Sequence, residues 1–218
     1  MRNPQDVVIV GAGGFGREVL QTVRAINAND GSINFCGFVD IAEPDKKLLL
    51  GIDAKCLGND DDFLLSPSAQ NFVLAIGNGA SRERIAPKYL ASALNAPQIL
   101  HPTALVGDDV QLGEGTVVSA FACLTTHIQV GDFVHIDRSA NIGHDSLIGD
   151  FVTIHPGAIV SGSVDLARGV TVGAGSCIMP GVHVGQEVII GAGAVVTKNI
   201  ADGDRVAGVP ARSLSTPN

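Results

Sequence analysis

A six-residue repeat in the second half of the sequence constrains the possible folds more than any other feature. Every sixth residue from Val106 to Val196 is Val, Leu or Ile, which makes sixteen such positions. The residue two before each of them is small or aliphatic. This period matches neither an amphipathic helix, which repeats every ~3.6 residues, nor an ordinary array of hairpins. It predicts a parallel β-helix with the aliphatic side chains inside, in which three repeats form one triangular coil and stacked coils lie about 4.8 Å apart.

The repeat is unbroken from Ala104 to Thr197, which corresponds to about five coils. Glycine follows the aliphatic position in eight of the sixteen repeats, as in Ile142-Gly143. We expect these glycines to form the turns, with backbone angles that are closed to other residues. The composition agrees with such a repeat, since Gly is abundant (27 residues), aromatic residues make up only 4% and Trp is absent.

Composition also excludes several functional classes. A net charge of -8 argues against a protein that coats nucleic-acid phosphates. No apolar run approaches the ~20 residues of a membrane span, and the first residues do not resemble a secretory signal. The four cysteines are scattered without a Cys-x-x-Cys pair, which is typical of reduced thiols in a cytoplasmic protein and not of a disulfide frame or zinc site.

The first hundred residues follow a different pattern, in which strands alternate with helices. Strands are predicted at Val7–Val10, Asn34–Val39 and Phe72–Ile76. One helix is predicted to open at the glycine-rich residues 11–16 and to run to about Asn27, and another to begin at about Ser81. This alternation indicates a small Rossmann-like parallel sheet with right-handed crossovers. The sequence therefore predicts two domains: an α/β domain over residues 1–100 and the β-helix over residues 101–218.

A glycine-rich loop follows the first predicted strand. Residues 11–16 match Gly-x-Gly-x-x-Gly, and Asp40 lies 24 residues beyond Gly16, which together form the dinucleotide fingerprint. Alone, this match indicates an NAD-dependent oxidoreductase. However, only about 100 residues precede the repeat, too few for both mononucleotide-binding halves and a substrate domain. The loop offers backbone amides to any phosphate, so a nucleotide carrying another group fits equally well. A purely structural tight turn is the alternative.

Four features in combination resemble a known family. They are Val-Gly-Ala-Gly-Gly-Phe-Gly-Arg-Glu-Val at 10–19, Ala-Ile-Gly-Asn at 75–78, the unbroken hexapeptide repeat, and Gly-Val-Pro-Ala-Arg at 208–212. The chain resembles, over nearly its whole length, the sugar acyltransferases of the sialic-acid and bacillosamine type. The resemblance implies a left-handed β-helix, a homotrimer, acetyl-CoA as donor, and no required metal. It also implies an acceptor that is a nucleotide-linked 4-amino-4,6-dideoxy sugar.

The family's catalytic pattern is a histidine followed by an acid, which here is His144-Asp145. By this resemblance His144 takes a proton from the attacking sugar amine or hydroxyl, and imidazole suits that role at cytoplasmic pH. Asp145 would raise the basicity of the imidazole and hold the ring. Backbone amides are suitable donors to the oxyanion of the tetrahedral intermediate, but the sequence does not identify them.

The stacking of coils offers Asp145 a second partner. Three histidines have a carboxylate one coil away: His127 over Asp145, His155 over Asp137, and His183 over Asp165. These pairs favour a structural ladder of side chains on the outer face. His144 instead stacks between Thr126 and Gly162, where a glycine would leave open space for a thioester. Asp145 therefore serves either His144 or His127.

The resemblance also implies two sets of binding residues. For the nucleotide-sugar these are Gly13, Gly14, Phe15, Asp40, Gly77 and Asn78, with Arg82 a weaker candidate. For acetyl-CoA they are Thr153, Gly162, Gly173, Ala174, Gly191, Lys198 and Arg212, with Arg205 a further cation near the phosphates. The chain departs from the family at two of these positions, because relatives often have His where Phe15 and Thr153 stand.

Three other functions remain as alternatives. A sugar or sialic acid O-acetyltransferase would use every residue named above. A non-enzymatic nucleotide-sensing scaffold would bind nucleotide without consuming acetyl-CoA. A γ-type carbonic anhydrase shares the β-helix but needs three converging histidines on zinc, and no two histidines here are spaced five apart.

Overall fold

The computed structural model describes residues 4–214. The chain forms two compact units, the first ending at Pro102 and the second beginning at Thr103. Within the described residues, no helix combines the length and the apolar composition that crossing a membrane requires.

The first unit is a small α/β domain around a three-stranded parallel sheet. Its strands are β1 (Gln5–Val10), β2 (Ile33–Val39) and β3 (Asn71–Leu74), and its helices are α1 (Gly14–Asp30), α2 (Lys46–Leu50), α3 (Asp60–Leu65) and α4 (Gly79–Ala91). The short strand β4 (Ile99–Leu100) lies outside this sheet. The sheet order is β2-β1-β3 and both pairings are parallel. The predicted strands and the two long helices are confirmed, whereas the short helices α2 and α3 were not predicted.

The core of this unit combines the apolar run of β1 with an aromatic cluster. Residues 7–10 are buried, because β1 is the central strand. The Tyr89 ring stacks on Phe72 with 4.9 Å between ring centroids, and its hydroxyl donates to Asp60 at 2.8 Å. Burial raises the pKa of Tyr89, so this phenol remains a neutral donor that fixes α4 to α3.

The second unit is a left-handed parallel β-helix of about six turns. The first face contains β5 (Leu105–Val106), β8 (Cys123–Leu124), β11 (Asn141–Ile142), β14 (Ile159–Val160), β17 (Cys177–Ile178) and β20 (Val195–Val196). The second face contains β6 (Val110–Leu112), β9 (Ile128–Val130), β12 (Leu147–Ile148), β15 (Asp165–Leu166) and β18 (His183–Val184). The third face contains β7 (Val117–Val118), β10 (His135–Ile136), β13 (Thr153–Ile154), β16 (Thr171–Val172), β19 (Ile189–Ile190), β21 (Arg205–Ala207) and β22 (Arg212–Ser213).

The register of the coils confirms the prediction from the repeat. Ile142 pairs with Leu124 on one side and with Val160 on the other, so partners lie 18 residues apart. All three side chains lie in the coil interior and are at most 1% exposed. The β-helix extends beyond the predicted repeat. Its strand β21 pairs with β19 at an offset of 16 residues, with Ile189 opposite Arg205. The antiparallel strand β22 then ends the described part of the ladder.

The turns differ from the sequence prediction. The left-handed backbone conformation lies three residues after the aliphatic position, where it is adopted by glycines such as Gly157 (φ 68°) and by non-glycine residues such as Asp145 (φ 59°) and Ser163 (φ 58°). The glycine directly after the aliphatic residue has another cause. A Cβ on Gly143 would lie 2.5 Å from the Gly162 amide nitrogen of the next coil. Close approach of stacked backbones, and not an unusual φ, therefore requires glycine there.

We expect Ile142→Asp to unfold the β-helix. The carboxylate would lie in the dry interior without a partner, which costs several kcal/mol by the general price of burying a charge. Thermal unfolding followed by circular dichroism should show a large fall in Tm. The exposed neighbour provides the control, since Asn141→Asp places the same charge in solvent. A normal Tm for Ile142→Asp would contradict the assigned register.

Candidate active site

His144 and Asp145 form a dyad at the corner between β11 and β12. The His144 Nδ1 lies 2.7 Å from Asp145 Oδ2, and the side chains are 61% and 60% exposed. The backbone on both sides is held by neighbouring coils: the Asp145 amide donates to the Thr126 carbonyl at 3.2 Å, and the His144 carbonyl accepts from the Ser163 amide at 2.7 Å. The dyad is thus an exposed pair of side chains on a fixed backbone.

The hydrogen bond determines which nitrogen of His144 is available for chemistry. A carboxylate only accepts, so Nδ1 carries the hydrogen and Nε2 keeps its lone pair in the neutral ring. Among residues 4–214, the hydrogen bonds of His144 leave Nε2 without a protein partner. The His144 side chain as a whole is 61% exposed, so the ring is accessible from solution.

The structure decides between the two partners proposed for Asp145. Within residues 4–214, no hydrogen bond or ion pair joins His127 to Asp145; the His127 Nε2 lies 3.7 Å from Asp109 Oδ2, and its Nδ1 lies 3.0 Å from the Thr126 hydroxyl. The predicted stacking of His127 over Asp145 is therefore wrong as a side-chain contact. The other two ladder pairs are confirmed, with 2.9 Å between His183 Nδ1 and Asp165 Oδ2 and 3.5 Å between His155 Nδ1 and Asp137 Oδ2.

The space next to Gly162 is not open as the sequence argument assumed. The edge of the His144 ring occupies it, so that a Cβ on Gly162 would lie 2.6 Å from Nε2 and 2.7 Å from Cε1. The glycine makes room for the imidazole itself, and a thioester must approach the ring from another side.

In the first unit, a cavity of about 410 Å³ lies at the carboxyl ends of β1 and β3. Its lining includes five predicted substrate-binding residues, namely Gly13, Gly14, Phe15, Asp40 and Gly77. A Cβ on Gly13 or Gly14 would meet nothing within 4 Å, so this part of the loop is open to a ligand. Gly16 differs, because a Cβ there would collide with the Gly11 carbonyl and break the contact between helix and loop.

Asp40 holds the glycine loop in place. Its Oδ2 accepts from the Ala12 amide at 2.7 Å and its Oδ1 from the Ala42 amide at 3.0 Å. Asp40 also lines a second cavity of about 550 Å³, between the end of β2 and α2, that shares Ile41 with the first. The carboxylate thus connects the loop, the end of β2 and both cavities.

Two residues of this unit that were predicted to contact the ligand have structural roles. Asn78 is the N-cap of α4, where its Oδ1 accepts from the Ser81 amide at 2.8 Å, and it does not line the cavity. Arg82 is fully buried, and its Nη1 donates to the carbonyls of Ile76 at 2.9 Å and Gly77 at 3.1 Å. Both residues therefore shape the loop after β3.

Sequence reasoning missed Ser81 and Arg84, which line the same cavity from α4. The two residues are three apart, so they lie on the same face of α4, near its start. This helix follows the parallel strand β3. That position was predictable, because ligands of such sheets bind at the carboxyl ends of the strands.

Comparison with known proteins relates both units to enzymes. Residues 6–89 match the model of the PglD N-terminal domain, and residues 164–198 match the bacterial transferase hexapeptide model. Over 139 residues the chain is 33% identical to GDP-perosamine N-acetyltransferase of Escherichia coli O157:H7, an alignment that spans 63% of this chain and 61% of that enzyme. The chain is thus similar in sequence to a sugar N-acetyltransferase, and both of its units match family models.

Similarity to solved structures extends over nearly the whole chain. PerB from Caulobacter crescentus, solved in complex with CoA and GDP-perosamine, has a TM-score of 0.88 at 28% identity, covering 96% of this chain and 97% of PerB. The acetyltransferase domain of PglB from Neisseria gonorrhoeae FA1090, in complex with acetyl coenzyme A, has a TM-score of 0.82 at 29% identity. This structural match covers 97% of this chain and 100% of that domain.

The residues that the family resemblance implied for acetyl-CoA lie in different parts of the β-helix. Lys198 and Arg212 line one cavity of about 310 Å³ at the end of the β-helix, together with Asp204 and Ser213. Arg205 is exposed but does not line it. Thr153 is only 2% exposed within its own chain, so it offers little surface to a cofactor, contrary to the expectation.

Gly173, Ala174 and Gly191 lie at the corner between the third and first faces. A Cβ on Gly173 would meet the backbone of the coil above, at 2.5 Å from the Ala192 nitrogen and the Ile190 carbonyl, so this glycine is required by the stacking of coils. Gly191 is less crowded, with the Ala207 Cβ at 3.0 Å, and Ala174 is exposed. At this corner, these three residues present only small groups and no polar side chain.

We expect Asp40→Ala to weaken nucleotide binding about tenfold, since loss of one charge-assisted hydrogen bond costs about 1.5 kcal/mol or more and here two amides lose their acceptor. Calorimetric titration with GDP, UDP and dTDP measures this change. Asp45→Ala is the matched control, because Asp45 accepts from the Lys47 amide at 2.8 Å away from the glycine loop. Unchanged affinity in Asp40→Ala would show that the loop keeps its shape without this contact.

Proposed function

We propose that this protein transfers the acetyl group of acetyl-CoA to the amino group of a nucleotide-linked amino-deoxy sugar, of the 4-amino-4,6-dideoxy type. The observation that carries the proposal is the His144–Asp145 hydrogen bond of 2.7 Å, which leaves Nε2 exposed as a base. Support comes from the homologues, one named as a GDP-perosamine N-acetyltransferase and one solved with CoA and GDP-perosamine.

His144 provides general base catalysis in this reaction. The amine nitrogen attacks the thioester carbonyl while His144 Nε2 takes a proton from it, and Asp145 stabilises the imidazolium that forms. The tetrahedral intermediate then collapses, the carbon–sulfur bond breaks, and the imidazolium returns its proton to the leaving thiolate. No covalent enzyme intermediate is needed, because the thioester is already activated and the protein mainly positions the two substrates.

The glycine-loop cavity is the proposed site of the nucleotide diphosphate. Helix α1 begins at Gly14 with no side-chain cap and no acidic residue in its first turn, so its terminal amides are available to a phosphate. Arg84 on α4 lines the same cavity and supplies a positive charge. The wall formed by Phe15 and Ile85 is apolar and suits the carbon face of a sugar or base.

For acetyl-CoA, the proposed phosphate contacts are Lys198 and Arg212, which line one cavity at the end of the β-helix. The pantetheine arm then follows the corner at Gly173, Ala174 and Gly191, where no long side chain blocks a narrow ligand. A cytoplasmic location accords with this cosubstrate and with the four free cysteines.

The proposed assembly is a homotrimer. On a single chain the dyad is more than half exposed, and Leu105 and Ile159 of the first face are exposed apolar side chains. A neighbouring copy would cover this face and enclose the dyad in a cleft between subunits. Light scattering at micromolar concentration tests this point, and a monomer would contradict it.

We expect His144→Ala to lower the acetylation rate by about 10²–10⁴-fold with little change in acetyl-CoA affinity, because only the proton transfer is lost. Asp145→Asn should lower the rate less, since the amide still fills the space but lacks the charge. Rates are measured by thiol release from acetyl-CoA and affinities by calorimetry.

His183→Ala is the matched control for this experiment. His183 also has its Nδ1 bonded to a carboxylate, Asp165 at 2.9 Å, and is similarly exposed, but it lies on the second face two coils away. Its loss should leave the rate close to that of the wild type. A His144→Ala protein that acetylates its sugar at the normal rate would refute the assignment of the base.

A substrate panel separates the proposal from its alternatives. Nucleotide-linked amino sugars and free sialic acids are each incubated with acetyl-CoA, and thiol release is recorded. Acetylation of the amino sugars supports the proposal, whereas preference for sialic acid or another sugar hydroxyl indicates an O-acetyltransferase. No release with any acceptor indicates a binding scaffold, and micromolar NADH binding with hydride transfer would indicate an oxidoreductase.

A further inference from the structure

The α-carbon of Gly162 lies directly against the edge of the His144 ring. A Cβ built on Gly162 would be 2.6 Å from Nε2, 2.7 Å from Cε1 and 3.0 Å from Cδ2. Atoms that are not bonded to each other do not approach so closely, so a side chain at 162 and the observed position of the ring exclude each other. The glycine has an ordinary φ, which means that backbone conformation does not explain its presence.

The backbone around Gly162 is tied to the coils on both sides. Below it, the Gly143 α-carbon lies so close that a Cβ there would be 2.5 Å from the Gly162 nitrogen. Above it, the Gly162 carbonyl accepts from the Gly181 amide at 3.1 Å. Beside it, the Ser163 amide donates to the His144 carbonyl at 2.7 Å. Of the two sides of the contact, only the exposed imidazole is free to swing away.

We propose that Gly162 is a positioning residue: the absence of its side chain lets the His144 ring lie in the pose that donates Nδ1–H to Asp145 and directs Nε2 along the next coil. This inference rests on the proposed function, in which Nε2 is the base. It goes beyond the cofactor contact that the resemblance implies for Gly162, because the residue acts through the imidazole and not through the pantetheine arm.

Gly162→Ala is the direct test. The added methyl should displace the ring and break the bond to Asp145, which lowers kcat by about 10- to 10²-fold, the loss that a displacement of about 1 Å produces at a reacting centre. Thermal stability and CoA affinity should stay near the wild-type values, because the ring yields into solvent and the backbone does not move. Thiol release, thermal unfolding and calorimetry measure these three quantities.

The tautomer of His144 gives a readout that a merely structural role would not change. In the wild type, the bond to Asp145 selects the neutral ring with hydrogen on Nδ1. In Gly162→Ala we expect the ring to take the other tautomer to a large extent, with hydrogen on Nε2. Nitrogen NMR of protein labelled at histidine distinguishes the two forms, and the spectrum of His144→Ala identifies the resonances. This measurement needs no acceptor sugar.

Gly143→Ala is the contrasting variant from the same corner. Its methyl would meet backbone atoms of Ser161 and Gly162 instead of a side chain, so it should lower Tm strongly, whereas Gly162→Ala should not. A comparable fall of Tm in Gly162→Ala would overturn the proposal, since the ring would then not be the yielding group.

Two further outcomes would also overturn it. One is a normal kcat with an unchanged tautomer, and the other is a lowered kcat that comes from weaker CoA binding while the tautomer stays the same. If the wild type releases no thiol with any acceptor, the proposed function fails, but the tautomer and stability measurements still decide the role of Gly162.

Discussion

The close stacking of parallel coils is the constraint on which the β-helix and its candidate site depend. Residues 18 apart pair along each face, and backbone bonds such as Asp145 N to Thr126 O join the corners as well. Side chains therefore cannot slide relative to their neighbours above and below. The spacing is so tight that Gly143 and Gly173 have no room for a methyl group. Catalytic geometry in such a fold is obtained from a rigid backbone and a few exposed side chains.

The His144–Asp145 dyad lies on this rigid backbone. In the part of the chain that the structure describes, four histidines on the outer surface lie near carboxylates, and in one of these pairs, His144 with Asp145, the two residues are adjacent in the chain at a corner. The other three pairs join residues one coil apart and act as rungs between coils. The His144 ring is held from two sides, by the Asp145 carboxylate at Nδ1 and by the bare α-carbon of Gly162 along its edge.

In the first unit, glycines are used both for close packing and to leave part of a loop open. Its glycine loop combines tight glycines, such as Gly16 against the Gly11 carbonyl, with open ones at Gly13 and Gly14. The tight positions bring helix α1 close to the sheet, and the open positions leave amides accessible to a ligand. Asp40 bonds to the loop and to the chain after β2, so the fingerprint acid acts here as a structural link between the two.

The sequence by itself determined the β-helix, its register and the α/β domain before it, because a strict period of six and an alternation of strands and helices leave few alternatives. The choice of His144-Asp145 as the catalytic pair came from the family resemblance and stays a prediction. The sequence did not determine which acid serves which histidine. Both Asp109 and Asp145 lie one coil from His127, and only the rotamers in the folded chain show that His127 faces Asp109. The burial of Thr153, the capping role of Asn78 and the ring over Gly162 were likewise decided by tertiary packing, since each depends on which atoms other segments bring within contact distance.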